Sequence, residues 1–423
     1  MNGWKKISLR NAGVSVIDCD HRTPPAASAG YPYIAIPQLK QGRIDLTDVR
    51  RIAREHFVAW TRKANPKAND VILSRRCNPG ETAVVPAGLE CALGQNLVLL
   101  RADEQKMFPP FLRWLVRGND WWEQIGKFLN VGAVFDSLKC SDIPNSHLPI
   151  PPLAEQRAIA GVLGALDDKI ELNRQMNQTL EALAQTLFKH WFVPACAAER
   201  SGAADRDACL RREGSGRQAT KLPKGWREES LDHVATFLNG LALQKFPPDG
   251  DDSLPVIKIA QLRAGNTDGA DQASFRVPTE YVIEDGDVLF SWSGSLEVEL
   301  WCGGRGALNQ HLFKVSSDQF PKWFYFLWTR HHLSEFQAIA ADKTTTMGHI
   351  QRKHLTQAKV FVPTPPELKE MSETMSPLIE KLITNNLESR TLAALRDALL
   401  PKLLSGELRL PVRGTQAGVP FSS

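Results

Sequence analysis

Apolar positions change their period along this chain, and they do so twice in the same order. Short runs of Val, Ile, Leu and Phe bounded by Gly, Pro, Asn and Asp, such as VILS (71–74), LVLL (97–100), DVLF (287–290) and KVFV (359–362), predict strands. Aromatic stretches around 111–128 and 323–339 predict a helix in each half. Beyond Pro151-Pro152 and Pro365-Pro366 the pattern becomes that of one long helix, since proline is tolerated in a first turn and not in the interior.

Each long pattern carries a seam. From about 153 to 192, Ile159, Leu163, Leu166, Ile170, Asn173, Asn177, Leu180, Ala184, Leu187 and Trp191 alternate steps of four and three. From about 367 to 404, Leu368, Met371, Met375, Leu378, Leu382, Asn385, Ser389, Leu392, Arg396, Leu399 and Leu403 obey the same rule. Such spacing is that of a coiled coil, and two matched seams of about 40 residues, against an average helix of about 11 to 12, predict that the helices pair with each other. Asn173, Asn177 and Asn385 interrupt the apolar seams and would fix their register.

The rest of the chain is also written twice. GWKKISL from Gly3 recurs as GWREESL from Gly225, YIAIPQLK as VIKIAQLR, NDVILSRR as GDVLFSWS, GQNLVLL as NQHLFKV, FPPFLRWLV as FPKWFYFLW, and LPIPPL as VPTPPE. The order is kept while the offset drifts only from 223 to 212. A period of about 215 is too long for a solenoid repeat, so each copy must carry its own fold. The expectation is an α+β protein: two mixed globules in tandem duplication, separated by two long helices forming an antiparallel coiled coil. Its parts are 1–150, a first globule; 151–193, a long helix; 194–223, a small, charged, aperiodic linker; 224–364, a second globule; 365–408, a second long helix; and 409–423, a tail. A chain cut near Pro366 is expected to keep its first globule folded.

With 423 residues, 43% hydrophobic and 23% charged, the chain suffices for two or three cores. No run approaches the roughly 18 apolar residues of a membrane span, and the N-terminus lacks the apolar core of a signal peptide, so a cytoplasmic protein with no membrane partner is expected. Seven scattered cysteines without a C-x-x-C pair suggest reduced buried thiols. The net charge of +4 is uneven: residues 1–150 hold 20 Lys/Arg against 14 Asp/Glu, and residues 221–365 hold 15 against 17. A polyanion would feel the first globule more.

The chemistry of catalysis is missing. No G-x-x-x-x-G-K-[ST] loop occurs, Asn78-Pro79-Gly80 lacks an aromatic to stack on a flipped base, Pro248-Asp249 has no acid-x-Lys downstream, and the ten histidines form no H-x-E or H-E-x-x-H cluster. Neither catalytic residues nor metal ligands are assigned. What recurs at matched places is donor and acceptor chemistry suited to nucleic acid. Ser74-Arg75-Arg76-Cys77-Asn78 after one strand matches Ser291-Trp292-Ser293 after the other; Gln95-Asn96 matches Gln310-His311, and Lys40 matches Arg263. Arg suits guanine edges, Asn and Gln suit adenine edges, and Lys and Ser commonly hold phosphate. Lys343, Arg352 and Lys353, around TTTMGHIQRKHL, complete the candidates.

At these residues the chain resembles a known family. LPIPPLAEQRAIAGVLGALDDKIELNRQMNQTLEALAQTLFKHWFV (148–193) is similar to the central conserved region of type I restriction-modification specificity subunits, and PPELKEMSETMSPLIEKLITNNLESRTLAALRDALLPKLLSGEL (365–408) to their C-terminal conserved region. GDVLFSWSGSLEVELW, GALNQHLFKV and TTTMGHIQRKHL resemble a target-recognition domain, as do NDVILSRR and ALGQNLVLLR. The resemblance implies a non-catalytic subunit with no cofactor of its own, reading a bipartite site in double-stranded DNA. It also implies two docked methyltransferase subunits that bind S-adenosylmethionine, and motor-nuclease subunits that use ATP and Mg. The rival reading is a protein-interaction scaffold with two globular binding domains on a coiled coil; steep salt dependence of DNA affinity separates the two.

Overall fold

The computed structural model describes residues 4–132, 136–193, 222–250, 252–342 and 348–411. The linker expected at 194–223 lies outside the described residues up to 221, as does the tail beyond 411. The chain divides into two compact units, residues 1–169 with 392–423, and residues 170–391.

In the first unit an antiparallel sheet runs in the order Val14–Asp18, Leu97–Ala102, Val71–Ser74, Thr82–Val84. Its central strands are apolar at successive positions because both faces are covered, one side chain up and the next down. Val71, Leu73, Val98 and Leu100 pack on Trp114 and Trp121. Ile72, Leu97 and Leu99 pack the other way, on Ile34, Cys91 and Leu93. Lys5–Ser8 pairs with His147–Ile150. The second unit repeats the plan: Thr236–Asn239, Leu312–Ser316, Val288–Ser291, Val298–Leu300, with Phe290 and Phe313 facing the aromatic core and Leu289 and Leu312 facing Ile257 and Trp301. Arg227–Ser230 pairs with Lys359–Val362.

Each aromatic stretch is two helices rather than the single one expected. The first breaks into Pro109–Leu115 and Asn119–Phe128 around Gly118, where a Cβ would come within 2.5 Å of Leu404 Cδ1. The second breaks into Lys322–His331 and Leu333–Ala341.

The long helices span Leu153–Phe192 and Pro365–Ser405. The second continues through Pro377 and Pro401, each of which removes an N–H to i−4 bond, so interior proline is tolerated here after all. The expected seam holds in the middle and gives way at the ends. Phe188 and Phe192, not Leu187 and Trp191, are buried near the end of the first helix, and Asp167, not Leu166, near its start. Steps of four replace the alternation where the helix lies on a globule, which covers a wider stripe than a single partner helix does.

Within the second unit the helices are joined by amides. Asn385 Nδ2 donates to Asn177 Oδ1 at 2.8 Å, Asn177 Nδ2 to Asn386 Oδ1 at 2.7 Å, and Asn173 Nδ2 to Glu388 Oε2 at 2.8 Å. Ascending numbers on one helix meet descending numbers on the other, so the pair is antiparallel. Within the first unit, Asp167 receives Arg396 Nη1 at 2.7 Å, Arg43 Nη2 at 3.0 Å, and Arg113. Leu400, Leu403 and Leu404 enter that unit's core beside Ile159 and Leu163. A chain cut near 366 therefore loses part of the first globule's core, against the sequence expectation.

Candidate nucleic-acid interface

Where Val71–Ser74 ends, the chain turns tightly over 74–80. Ser74 Oγ donates to the Arg76 carbonyl at 2.9 Å, Gly80 N returns to the Ser74 carbonyl at 3.1 Å, and Cys77 takes a left-handed φ of 64°. Arg75 N donates to the Asn96 carbonyl, and the Arg75 carbonyl accepts from Leu138 N, both at 2.9 Å. The wiring at the end of Val288–Ser291 is the same. Trp292 N donates to the His311 carbonyl at 3.3 Å, and the Trp292 carbonyl accepts from Ile350 N at 3.0 Å. Arg76 forms a β-bridge with Ser137, and Ser293 one with His349. Arg75 and Trp292 thus hold one place in two copies, as do Asn96 and His311.

A further position belongs to each cluster. Val98 pairs with Asp18 and Leu73, and Phe313 pairs with Asn239 and Phe290, so Asp18 and Asn239 are equivalent by sheet register. In the first unit the Asp18 carboxylate accepts from Lys63 Nζ at 3.2 Å and lies 2.9 Å from His21 Nε2, whose other ring nitrogen lies 3.0 Å from the Gln95 carbonyl oxygen. Burial pushes the Asp18 carboxyl up, but hydrogen bonds from Lys63 and His21 outweigh it and hold it below the usual range. Asp18, Cys19 and His21 bring three possible metal donors within 4.8 Å of one another. The carboxylate is occupied by the Lys63 ammonium, and burial raises the Cys19 thiol to about 11, so the set is an ion-pair cluster.

In the second unit Trp292 Nε1 donates to Asn239 Oδ1 at 2.9 Å. An indole N–H only donates, so this bond orients the exposed amide with its NH2 outward. Ser293 Oγ and His311 Nδ1 lie 2.9 Å apart, Gln310 Nε2 lies 3.3 Å from His311 Nε2, and the Trp292 ring flanks His311 and His349. Arg352 sits over the Phe313 ring and donates to the Phe237 carbonyl.

The clusters gather most of the expected residues. Arg75, Arg76, Asn78, Gln95 and Asn96 stand together in the first; Trp292, Ser293, Gln310, His311 and Arg352 stand in the second. Arg263 joins the second through Glu297, whose backbone bonds Ser291. Ser74 and Ser291 need correction: both are fully buried with their hydroxyls on backbone carbonyls, so they brace turns and cannot hold phosphate. Ser293 is likewise buried on His311. Lys40 stands on the hairpin of Leu39–Lys40 and Arg43–Ile44 with its ammonium on Asp45, and Lys353 is exposed on a short helix. Lys343 lies outside the described residues.

A family model described as "Type I restriction modification DNA specificity domain" matches residues 19–182. The type I restriction enzyme MjaIX specificity subunit of Methanocaldococcus jannaschii is 27% identical over 395 residues, 91% of this chain and 86% of that one. The EcoKI specificity subunit of Escherichia coli K12 is 23% identical over 412 residues, 89% and 82% of the two chains. The crystal structure of a type I restriction-modification system S subunit from M. genitalium superposes with a TM-score of 0.57, 15% identity and 95% and 97% coverage, which shows the shared fold. Over about nine-tenths of its length this chain is similar to type I restriction enzyme specificity subunits.

These relatives are named as specificity subunits, which supports a non-catalytic role for a chain of this kind. The residues that sequence reasoning missed in its two clusters are Asp18, His21 and Lys63 in one and Asn239 and His349 in the other. A signal for the strand pair existed: 18 and 239 differ by 221, inside the drift of the repeat. No helix among the described residues is long and apolar enough to cross a membrane.

Proposed function

We propose that the two strand-end clusters are the reading heads for two different half-sites of one double-stranded DNA target. The observation that carries this is one backbone plan holding different side chains beside a shared glutamine at 95 and 310: Asp18, Arg75 and Asn96 in one unit, and Asn239, Trp292 and His311 in the other. A common scaffold with divergent donors and acceptors is what two unlike base sequences require. The long helices and their Pro-Pro starts serve as the docking surface for partner subunits, two methyltransferase subunits and then motor-nuclease subunits. S-adenosylmethionine, ATP and Mg act in those partners.

The test is binding of the full chain with its methylation subunit to duplexes randomised in one half-site at a time. Arg75→Ala is expected to cost about 1 to 3 kcal/mol and to relax discrimination in one half-site only. Affinity of the unaltered protein should fall by orders of magnitude between about 50 and 200 mM salt. A salt-independent interaction would favour the scaffold reading, and a uniform loss over all sequences would make Arg75 a phosphate contact.

A further inference from the structure

The first unit contains an open cleft of about 380 Å³ that neither reading cluster uses. Arg117 lines it beside Gly42, Glu81, Trp122, Asp397 and Leu400. The guanidinium has no hydrogen-bond or ion-pair partner among the described residues, although it is largely shielded from water. It is held in place sterically. The Trp114 ring lies under it at 5.4 Å, and at Gly42, where φ is +83°, a Cβ would come within 2.9 Å of Nη1. Its surroundings add cost. Burial first, and then the neighbouring Arg396, depress its pKa from the ordinary arginine value. The fields of Asp167 and Asp397 offset this only in part, and the Asp167 carboxylate is already engaged by Arg43, Arg113 and Arg396. A partly buried fork of N–H donors with no protein acceptor among the described residues, opening on a cleft, is suited to receive an anion.

We propose that this cleft takes a carboxylate carried on an apolar segment of the methylation subunit, with Arg117 as the group that receives it. The inference rests on the reading that this chain docks that subunit. The walls decide between a carboxylate and the DNA backbone. Glu81 and the exposed Asp397 stand at the cleft, and Asp397 is only partly neutralised by Arg396 Nε at 2.9 Å. A row of phosphates would meet both acids. A single carboxylate on a protein segment can reach Arg117 while its apolar flank lies on Trp122, which is 43% exposed, and on Leu400. An exposed tryptophan beside an unpaired arginine is also the composition of an interface anchor.

The experiment compares the full chain with Arg117→Ala, Arg117→Lys and Trp122→Ala in three measurements: affinity for the methylation subunit, affinity for duplex DNA at several salt concentrations, and Tm. Arg117→Ala is expected to weaken assembly by about tenfold or more. Arg117→Lys should fall between, since it keeps the charge without the fork, and Trp122→Ala should weaken assembly too. DNA affinity of the chain alone should not change, and Tm should hold or rise, because removing an unpaired shielded cation removes its desolvation cost. Unchanged assembly overturns the proposal. So does a loss of DNA affinity with a salt slope smaller by about one, which would make Arg117 a phosphate contact. A fall in Tm with parallel losses in both affinities would make its role structural and overturn it as well. If the unaltered chain binds neither DNA nor the methylation subunit, the proposed function fails, and this site with it.

Discussion

Asp167 is the residue on which the first unit turns. Its carboxylate is nearly closed to solvent and meets guanidiniums from three elements: Arg43 from a hairpin, Arg113 from the helix Pro109–Leu115, and Arg396 from the second long helix. Burial pushes the acid up, yet the fields of Arg113 and Arg43 and the hydrogen bond from Arg396 win and hold it below the usual carboxylate range. A carboxyl depressed in the folded state contributes stability that is fully present above its unfolded value of about 3.9 and is lost as pH falls through the folded value. Asp167→Asn leaves three cations around a neutral amide, so it should cost about 3 to 5 kcal/mol at pH 7 and lower the first unit's Tm by roughly 6 to 20 °C. It should also flatten the acid limb below about pH 4, where the unfolded wild-type chain takes up this proton before the folded one does. Thermal unfolding from pH 7 down to about 2.5 checks both, and an unchanged midpoint at pH 7 would show that the three arginines are held by something else. None of this is legible in the sequence. Asp167 stands off the expected seam beside Leu166, and only the tertiary approach of Arg43 and Arg113 makes it a buried centre.

At the scale of elements, the helix pair in the second unit is specified by amides more than by apolar volume. Asn177, Asn385 and Asn386 form a continuous set of bonds, while the buried Oδ1 atoms of Asn173 and Asn385 have no partner among the described residues. An incompletely satisfied polar layer lowers stability and penalises any slip that would bury the amides against leucine. Asn385→Leu alone strands Asn177 Oδ1 and should destabilise by about 1 to 3 kcal/mol. The double change Asn177→Leu with Asn385→Leu should be neutral or stabilising, and should let the helices pair in more than one register. Denaturant unfolding gives the first quantity, and disulfide trapping between cysteines placed at several levels of the two helices gives the second. A double variant as unstable as the single one would show that the layer is a net source of stability. This element was the most legible in the sequence, because steps of four and three are written directly in Asn173, Asn177, Leu180 and Ala184 and in Leu378, Leu382, Asn385 and Ser389. It failed where the helix meets a globule, since Phe188 and Phe192 bury beside Leu187 and Trp191 for reasons that lie in Trp323 and Trp328.

At the scale of the whole molecule the duplication was readable, and with it the existence of two globules, because strand, turn and helix punctuation recur at a nearly constant offset. The division of the chain was not readable, because side-chain partners many residues apart decide it. The first unit is assembled from 1–169 and 392–423, whereas the second is the single stretch 170–391. Leu400, Leu403 and Leu404 are buried among Leu112, Leu115 and Leu163, and fully burying one leucine is worth about 1.5 to 3 kcal/mol. Removing three, together with Arg396 on Asp167, exceeds a domain's usual margin of about 5 to 15 kcal/mol or consumes most of it. A fragment of residues 1–391 should therefore unfold its first unit while the second keeps its fold. The fragment 170–391 contains all of the residues of its own aromatic core, and should melt cooperatively by itself. Adding residues 392–411 as a separate peptide should restore protection of the first unit's backbone amides in the 1–391 fragment. Hydrogen exchange resolves the two units. Protection retained at Val71–Ser74 and Leu97–Ala102 in the 1–391 fragment would mean that the first unit stands without the second helix's last turns.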